Sequence, residues 1–242
     1  MPSNYYPELE QLESGALINL QGEEFHHLAR VARRRMSEPV LLNSGAGVMA
    51  RAEVLDAGKR SARLRIVEIK SIPPPERPYA IAMALLRNKR DEQVVEKCTE
   101  LGASAFFPFM SEHCVRQASD NTRQRLEKIA QAAIKQCDNP WLPEVEDPLP
   151  LESALQRIIG KGYSPVVCSE LGGGTWLHHL EERQLGKPCF LIGPEGGWGE
   201  REFELFGQFP RISLGRIITR ADTAAISIAA QWLAHSQRMG GA

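Results

Sequence analysis

The 242-residue chain carries 29 Lys and Arg against 30 Asp and Glu, and 43% of it is hydrophobic, as expected of a soluble globular protein with one large or two modest domains. We see no basic, apolar leader and no apolar run near the length of a membrane span, which favours a cytoplasmic protein. The near-zero net charge by itself says nothing about nucleic acid.

The cysteines and histidines argue against a disulfide framework and a metal site. Five cysteines, an odd number, are widely spaced and include no C-x-x-C pair, so we expect reduced thiols that fill the core. The pairs His26-His27 and His178-His179 are sequence neighbours, which point apart on regular structure.

The first 70 residues predict a small antiparallel β-barrel. Apolar runs at 39–43, 48–55 and 62–70 are separated by glycines, and the last alternates Leu64 and Ile66 with Arg63 and Arg65. One helix is predicted within EFHHLARVARR, with Phe25, Leu28 and Val31 on its inner face.

Charge is uneven along this region. Residues 1–25 contain five Glu and no Lys or Arg, whereas residues 26–70 contain ten Lys and Arg against four Asp and Glu. Such an excess is expected of a surface that meets phosphates, although a solvated charged face is the commoner explanation of an arginine run. RNA or DNA contact therefore stays open at this point.

A stretch with four prolines in eight residues, Ser71–Pro78, is the best domain boundary. Beyond it, strand-like and helix-like segments alternate to the C-terminus, interrupted by a proline-broken loop at 138–150, and this order predicts a parallel sheet covered by helices. The final helix, from about Asp222 to His235, is apolar nearly all round, so we expect it to be buried or to pack against a second subunit.

The segment LIGPEGGWGE at 191–200 runs from a strand into a glycine-rich turn. No Gly-Lys-Ser/Thr ending follows, and the third position of G-x-G-x-x-G counted from Gly197 is Glu202, so neither phosphate motif fits. The turn either lets a ligand approach the main chain closely or is an ordinary strand-to-helix turn.

Three predicted strand ends carry glycine-rich or polar residues: CSELGGG (168–174), GPEGG (193–197) and LGRIITRADTA (214–224). Ligands of open parallel sheets bind beyond the carboxyl ends of the strands. These three segments together therefore predict a ligand site.

The chain resembles the RsmE family, whose members are SPOUT-superfamily enzymes that methylate N3 of a uridine in 16S ribosomal RNA. The resemblance covers nearly the whole chain, in order, and is carried by HHLARV (26–31), EKCTELGASAFFPFMSEH (96–113), AAIKQCDNPWLPEV (132–145), LIGPEGGWGEREFE (191–204) and LGRIITRADTAA (214–225). It implies an RNA-binding, PUA-like β-barrel at residues 1–72 and an α/β SPOUT methyltransferase domain at 79–242, whose C-terminal chain forms a trefoil knot.

The resemblance also implies a homodimer that acts on 16S ribosomal RNA of the small subunit, with S-adenosylmethionine as cofactor and no metal or membrane. Arg30, Arg33, Arg34 and Arg35 are the candidate RNA contacts. The residues it assigns to the cofactor pocket are Leu191, Gly193, Glu195, Gly196 and Gly197 on one wall and Leu214, Gly215, Ile217, Ile218, Arg220, Thr223 and Ala224 on the other.

The chemistry of uridine N3 suggests roles for three of the residues in these segments. Its anion spreads charge onto the flanking carbonyl oxygens, so the Arg220 guanidinium is our candidate for stabilising it. Glu195 and Asp222 are candidate proton acceptors or cofactor-orienting groups. Asp222 is equally well placed as the N-cap of the last helix. A less favoured alternative for Arg220 is an ion pair with Asp222 or Glu195.

The sequence departs from the family at two internal sites, and it also lacks the family's usual basic residues near the N-terminus, since the first arginine is Arg30. Asp138-Asn139 stands where members commonly have an arginine, and Ala221-Asp222 replaces the usual Thr-Glu. The second departure keeps open a non-catalytic RNA-binding protein that has lost its cofactor. A different nucleotide-using α/β enzyme is disfavoured by the missing phosphate motifs.

Overall fold

The computed structural model describes residues 3–32, 39–169, 175–177, 185–207 and 209–239. The chain divides into two compact units, one of Met1–Pro75 with Gln131–Leu142 and one of Glu76–Ala130 with Pro143–Ala242. The domain bounds 1–72 and 79–242 remain a prediction.

The first unit is built on a five-stranded sheet. Its strands are β1 (Asn4–Tyr5), β2 (Leu17–Gln21), β3 (Val40–Asn43), β4 (Val48–Ala57) and β5 (Ser61–Ser71), in the order β1-β3-β4-β5-β2. The neighbours are antiparallel except β1 and β3, which pair in parallel. The sheet is therefore mixed, and the sequence pattern predicted neither β1 nor β2.

The alternation predicted in β5 is confirmed. Leu64 and Ile66 are fully buried in the core of this unit, whereas Arg63 and Arg65 are exposed on the other face of the sheet. Helix α1 (Gly22–Ala32) packs on the same core through Phe25 and Leu28, as expected. The side chain of Val31 lies outside the described residues.

The second unit contains a seven-stranded sheet in which all pairs are parallel, which confirms the predicted α/β class. Its strands are β6 (Ala80–Ala84), β7 (Ala105–Met110), β8 (Glu144–Val145), β9 (Leu149–Pro150), β10 (Ser164–Cys168), β11 (Pro188–Ile192) and β12 (Arg211–Ile212). The order is β12-β10-β11-β6-β7-β8, with β9 also on β7. Its helices are α2 (Arg90–Glu100), α3 (Thr122–Cys137), which it shares with the first unit, α4 (Leu151–Gly160), α5 (Glu200–Leu205) and α6 (Ala221–Met239).

The segment 138–150, predicted to be a loop, contributes two short strands instead. β8 and β9 pair with β7 over two residues each, in the registers Ala105 to Glu144 and Phe109 to Leu149. Two-residue strands between prolines carry no periodicity, so the pattern gave no sign of them.

Helix α6 begins one residue before the predicted start. The carbonyl of Arg220 accepts the N–H of Ala224 at 2.8 Å, so Arg220 occupies the N-cap position and Asp222 lies in the first turn. The expectation that Asp222 caps this helix is therefore wrong. The helix buries Ile228 and Trp232, while Ala230 and Ala234 are exposed.

The cysteines behave as expected of core thiols for the most part. No disulfide forms, and Cys98, Cys168 and Cys189 are buried, whereas Cys114 is half-buried and Cys137 is exposed. In the part of the chain that the structure describes, no helix is long and apolar enough to cross a membrane. The trefoil knot stays a prediction.

Candidate active site

A cavity of about 350 Å³ lies in the second unit, beyond the carboxyl ends of the neighbouring strands β10, β11 and β12. This is where an open parallel sheet is expected to bind its ligand. The cavity is lined by Cys168, Ser169, Ile192, Gly193, Pro194, Glu195, Gly197, Trp198, Ser213, Leu214, Gly215, Arg216, Ile217, Ile218, Thr219, Arg220, Ala221 and Ala224.

All three strand ends singled out in the sequence reach this cavity. The first contributes Cys168 and Ser169, and residues 170–174 lie outside the described residues. We call Gly193–Gly199, after β11, the turn wall, and Ser213–Arg220, after β12, the loop wall.

The structure brings most of the expected cofactor residues to the cavity. The residues that line it as expected are Gly193, Glu195, Gly197, Leu214, Gly215, Ile217, Ile218, Arg220 and Ala224. Leu191, Gly196 and Thr223 are not among the lining residues, and neither is the catalytic candidate Asp222.

The residues that do not line the cavity have other surroundings. Leu191 is fully buried inside β11. A Cβ built on Gly196 would lie 2.9 Å from the Cβ of His113, so this glycine faces the segment after β7. Asp222 points to α2, where its Oδ1 is 3.5 Å from Nη1 of Arg90.

The turn wall is fixed by a buried tryptophan. The indole of Trp198 stacks on Phe109 with the ring centroids 5.8 Å apart, and meets Phe206 edge-on at 4.8 Å. Its Nε1–H donates to the carbonyl of Cys168 at 3.2 Å. The tryptophan therefore ties the turn after β11 to the end of β10.

Glycine is favoured at position 193 because this indole packs directly against it. A Cβ there would lie 3.0 Å from the nearest ring atom of Trp198, closer than ordinary van der Waals contact. Gly197 has a positive φ of 72°, which glycine adopts without strain. Two of the glycines in GPEGG thus have structural reasons that hold even without a ligand.

Two polar side chains also hold the turn wall. The buried carboxylate of Glu202 accepts the N–H of Gly199 at 2.8 Å and the N–H of Glu112 at 3.0 Å. Nδ1 of His113 lies 3.1 Å from the carbonyl of Gly196, and a protonated nitrogen there donates to it. No local pattern indicates the contact of Glu202 with Glu112 or that of His113 with Gly196, because these partners are 90 and 83 residues apart.

Both candidate proton acceptors are engaged with one short segment after β6. Oε1 of the exposed Glu195 accepts the main-chain N–H of Arg87 at 3.0 Å. Asp222, as described, pairs with Arg90. Neither carboxylate pairs with Arg220, so the alternative role of Arg220 as their ion-pair partner does not apply.

The loop wall presents charged and apolar side chains to solvent. Arg216 and Arg220 are exposed, and with the described residues neither side chain makes a hydrogen bond or ion pair. Ile217 and Ile218 are 82% and 75% exposed, although they line the cavity. Apolar side chains so exposed mark a surface that a bound molecule can cover.

The cysteine in the cavity does not supply a thiolate. Burial raises the pKa of the Cys168 thiol well above its usual value, so it stays neutral at physiological pH. In the described ranges, no group of three or more His, Cys, Asp or Glu side chains is arranged to hold a metal ion.

The RNA contacts expected in the first unit cannot be placed. Arg33, Arg34 and Arg35 lie outside the described residues, and so does the side chain of Arg30. These four residues remain predictions.

Two family models match the chain. One, described as RNA methyltransferase domain, matches residues 73–233, and the other, described as RNA methyltransferase PUA domain, matches residues 20–67. Together they account for most of the chain.

Individual relatives match over most of their own length. A protein of Synechocystis sp. named "Ribosomal RNA small subunit methyltransferase E" is 31% identical over 222 residues, which cover 89% of this chain and 72% of the relative. The protein of that name from Bacillus subtilis is 29% identical, covering 92% of each chain. The solved structure of the Neisseria gonorrhoeae protein of that name, bound to S-adenosyl methionine, is 25% identical, covers 97% of this chain and 98% of its own, and has a TM-score of 0.86.

Proposed function

The chain belongs to the family of ribosomal RNA small subunit methyltransferase E proteins, and we propose from this that it transfers a methyl group from S-adenosylmethionine to N3 of a uridine in 16S ribosomal RNA. The cavity at the ends of β10, β11 and β12 carries the proposal, because it unites nine of the residues that the family resemblance assigned to the cofactor. We expect the protein to act in the cytoplasm on the small ribosomal subunit.

The residues present fit S-adenosylmethionine. The cavity has a volume of about 350 Å³, which lies within the usual range for small-molecule sites, roughly 300–1,000 Å³. Gly193 and Gly197 line the cavity, and Ile217 and Ile218 offer apolar surface. The cofactor supplies a sulfonium methyl group that is already activated for transfer.

Arg220 would act on the uridine. Loss of the weakly acidic N3 proton to solvent water leaves an anion delocalised onto the neighbouring carbonyl oxygens, and a fixed guanidinium facing them stabilises that charge. The side chain of Arg220 lines the cavity, is exposed and has no hydrogen-bond or ion-pair partner among the described residues, which supports this role. An arginine already bound to a carboxylate would be less available for it.

Of the roles considered for Glu195 and Asp222, orientation is better supported than proton acceptance. Each carboxylate already interacts with the segment Arg87–Arg90. Asp222 is also absent from the cavity lining. We therefore assign them the task of holding the polypeptide around the cavity.

We propose further that the first unit binds RNA and that the protein is a homodimer. Arg30 and Arg33–Arg35 would contact phosphates, as their charge and their place in the chain suggest. Ala230 and Ala234 are exposed on α6, and their small side chains would allow close approach of a second copy. Sedimentation that finds a stable, active monomer would contradict the dimer.

The proposed reaction is tested by mapping 3-methyluridine in ribosomal RNA. Small subunits from a strain without the gene should lack one such nucleotide and regain it on incubation with the protein and S-adenosylmethionine. Calorimetry with S-adenosylmethionine is the companion measurement. Absence of heat, together with no protection from thermal unfolding, would indicate a non-catalytic RNA-binding protein.

A further inference from the structure

The segment that follows β6, residues Arg87–Lys89, has an unusual backbone. Asn88 and Lys89 are consecutive residues in the left-handed region, with φ of 52° and 56°. Asparagine tolerates this conformation, whereas lysine rarely adopts it. Such a conformation persists only where the surrounding structure imposes it.

The carboxylates described above hold this segment on the cavity side. Oε1 of Glu195, in the turn wall, accepts the N–H of Arg87 at 3.0 Å. Asp222, in the first turn of α6, pairs with Arg90 at 3.5 Å. One carboxylate from the turn wall and one from the start of α6 therefore hold this segment.

A third side chain, that of Arg116, also holds the segment. Nη1 of Arg116 donates to the carbonyl of Leu86 at 3.4 Å and also to the fully buried carboxylate of Asp91. Leu86 and Asp91 flank the left-handed pair, so one guanidinium connects the residues before and after it. This arrangement holds the residues on both sides of the left-handed pair.

The fixed segment exposes two positive charges. Arg87 and Lys89 are exposed, and with the described residues neither side chain forms an ion pair or hydrogen bond. A pair of solvated surface cations does not require a constrained backbone. Here the constraint includes the hydrogen bond from the main-chain N–H of Arg87 to Glu195, a residue that lines the cavity.

We propose that Arg87 and Lys89 form a phosphate-binding site for the RNA substrate on the second unit, and that Glu195 is the positioning residue that holds this site beside the cavity. The inference rests on the proposed function, since it assumes an RNA substrate. It assigns the contact to the ribose-phosphate backbone rather than to bases, because two exposed cations recognise charge without reading sequence.

The test is the affinity for small ribosomal subunits from the deletion strain, measured over a range of salt concentrations. The double variant Arg87→Ala and Lys89→Asn removes both charges. It leaves the main-chain N–H of residue 87 in place and puts a residue that tolerates a positive φ at 89. We expect affinity to fall by about tenfold and the salt slope to shrink by roughly 0.7–0.9 per lost contact.

The matched control is Arg201→Ala with Lys128→Gln, which removes one arginine and one lysine from exposed positions of the same unit outside the cavity lining. This control should bind within about twofold of the unmodified protein. Equal affinity and equal salt slope for the Arg87/Lys89 variant and the control would overturn the phosphate site. Calorimetry with S-adenosylmethionine checks that both variants keep the cavity.

The role of Glu195 needs its own pair of variants. Glu195→Gln keeps an oxygen that can accept the N–H of Arg87, whereas Glu195→Ala does not. We expect the alanine variant to lose RNA affinity and the glutamine variant to keep most of it. If Glu195→Gln instead abolishes methylation at saturating RNA with affinity unchanged, Glu195 is the proton acceptor and the positioning role is wrong.

The two proposals fail in distinguishable ways. If the unmodified protein does not methylate the particles, the proposed function is wrong, and the binding curves of the variants still decide the phosphate site. If it methylates them and the Arg87/Lys89 variant binds normally, only the phosphate site is wrong.

Discussion

The two walls of the cavity differ in how firmly the polypeptide itself holds them. The turn wall contains buried Trp198, and its backbone is held by the side chains of Glu202 and His113. In the loop wall, no side chain from Arg216 to Thr219 makes a hydrogen bond with the described residues, and all four are exposed. Segments with few contacts unfold locally at a low cost in free energy. We therefore expect the turn wall to be preorganised and the loop wall to be ordered by the bound molecule.

The largest effect is expected from Trp198→Ala in the turn wall. It removes an indole that is 7% exposed and packed between two phenylalanine rings, and such losses cost about 3–5 kcal/mol of unfolding free energy. Urea unfolding measures this cost. Trp198→Phe keeps an aromatic ring and loses the hydrogen bond to Cys168, so it should cost far less; equal costs would mean that the indole packing does not hold this wall.

Arg220→Ala should lower the rate of methylation at saturating RNA by roughly a hundredfold, by analogy with lost oxyanion donors. The stability of the protein should change little, because the side chain is exposed and unpaired among the described residues. Single-turnover methylation of small-subunit particles measures the rate, with Arg201→Ala as the control. An unchanged saturated rate with a higher RNA requirement would make Arg220 a phosphate contact instead.

The same substitution in both walls gives the most direct comparison. Gly193→Ala places a Cβ 3.0 Å from the buried indole and should cost about 1–3 kcal/mol of stability, with weaker binding of S-adenosylmethionine. A Cβ on Gly215 meets nothing within 4 Å, so Gly215→Ala should stay within about 0.5 kcal/mol. Thermal unfolding measures the stability of the two variants, and calorimetry measures their affinity for S-adenosylmethionine. Similar losses for the two variants would show that the walls are equally constrained.

The smallest effect is expected from Ile217→Ser. The side chain is 82% exposed, so unfolding free energy should be unchanged within about 0.5 kcal/mol. Affinity for S-adenosylmethionine should fall by up to about tenfold if a bound molecule covers this side chain, since burying apolar surface contributes about 25 cal/mol per Å². Calorimetry measures this affinity, and an unchanged value would mean that Ile217 stays uncovered in the complex.

Local patterns predicted the elements whose residues repeat with a clear period. The alternation in β5 and the buried face of α1, with Phe25 and Leu28 inward, both follow from spacing alone. They failed where an element is too short to show a period, as in β8 and β9. They also failed at the start of α6, where Asp222 has the residue type of an N-cap but serves as the partner of Arg90.

The sequence by itself determined the α/β class, the three strand ends that meet at the cavity and the glycine-rich turn after β11, because composition and period are local properties of the chain. Only the tertiary structure decided which groups meet. Glu195 binds Arg87 across 108 positions and Asp222 meets Arg90 across 132, and no local pattern encodes such a separation. The strand order β12-β10-β11-β6 brings these distant segments together, so the roles of the two carboxylates follow from the sheet topology rather than from their residue type.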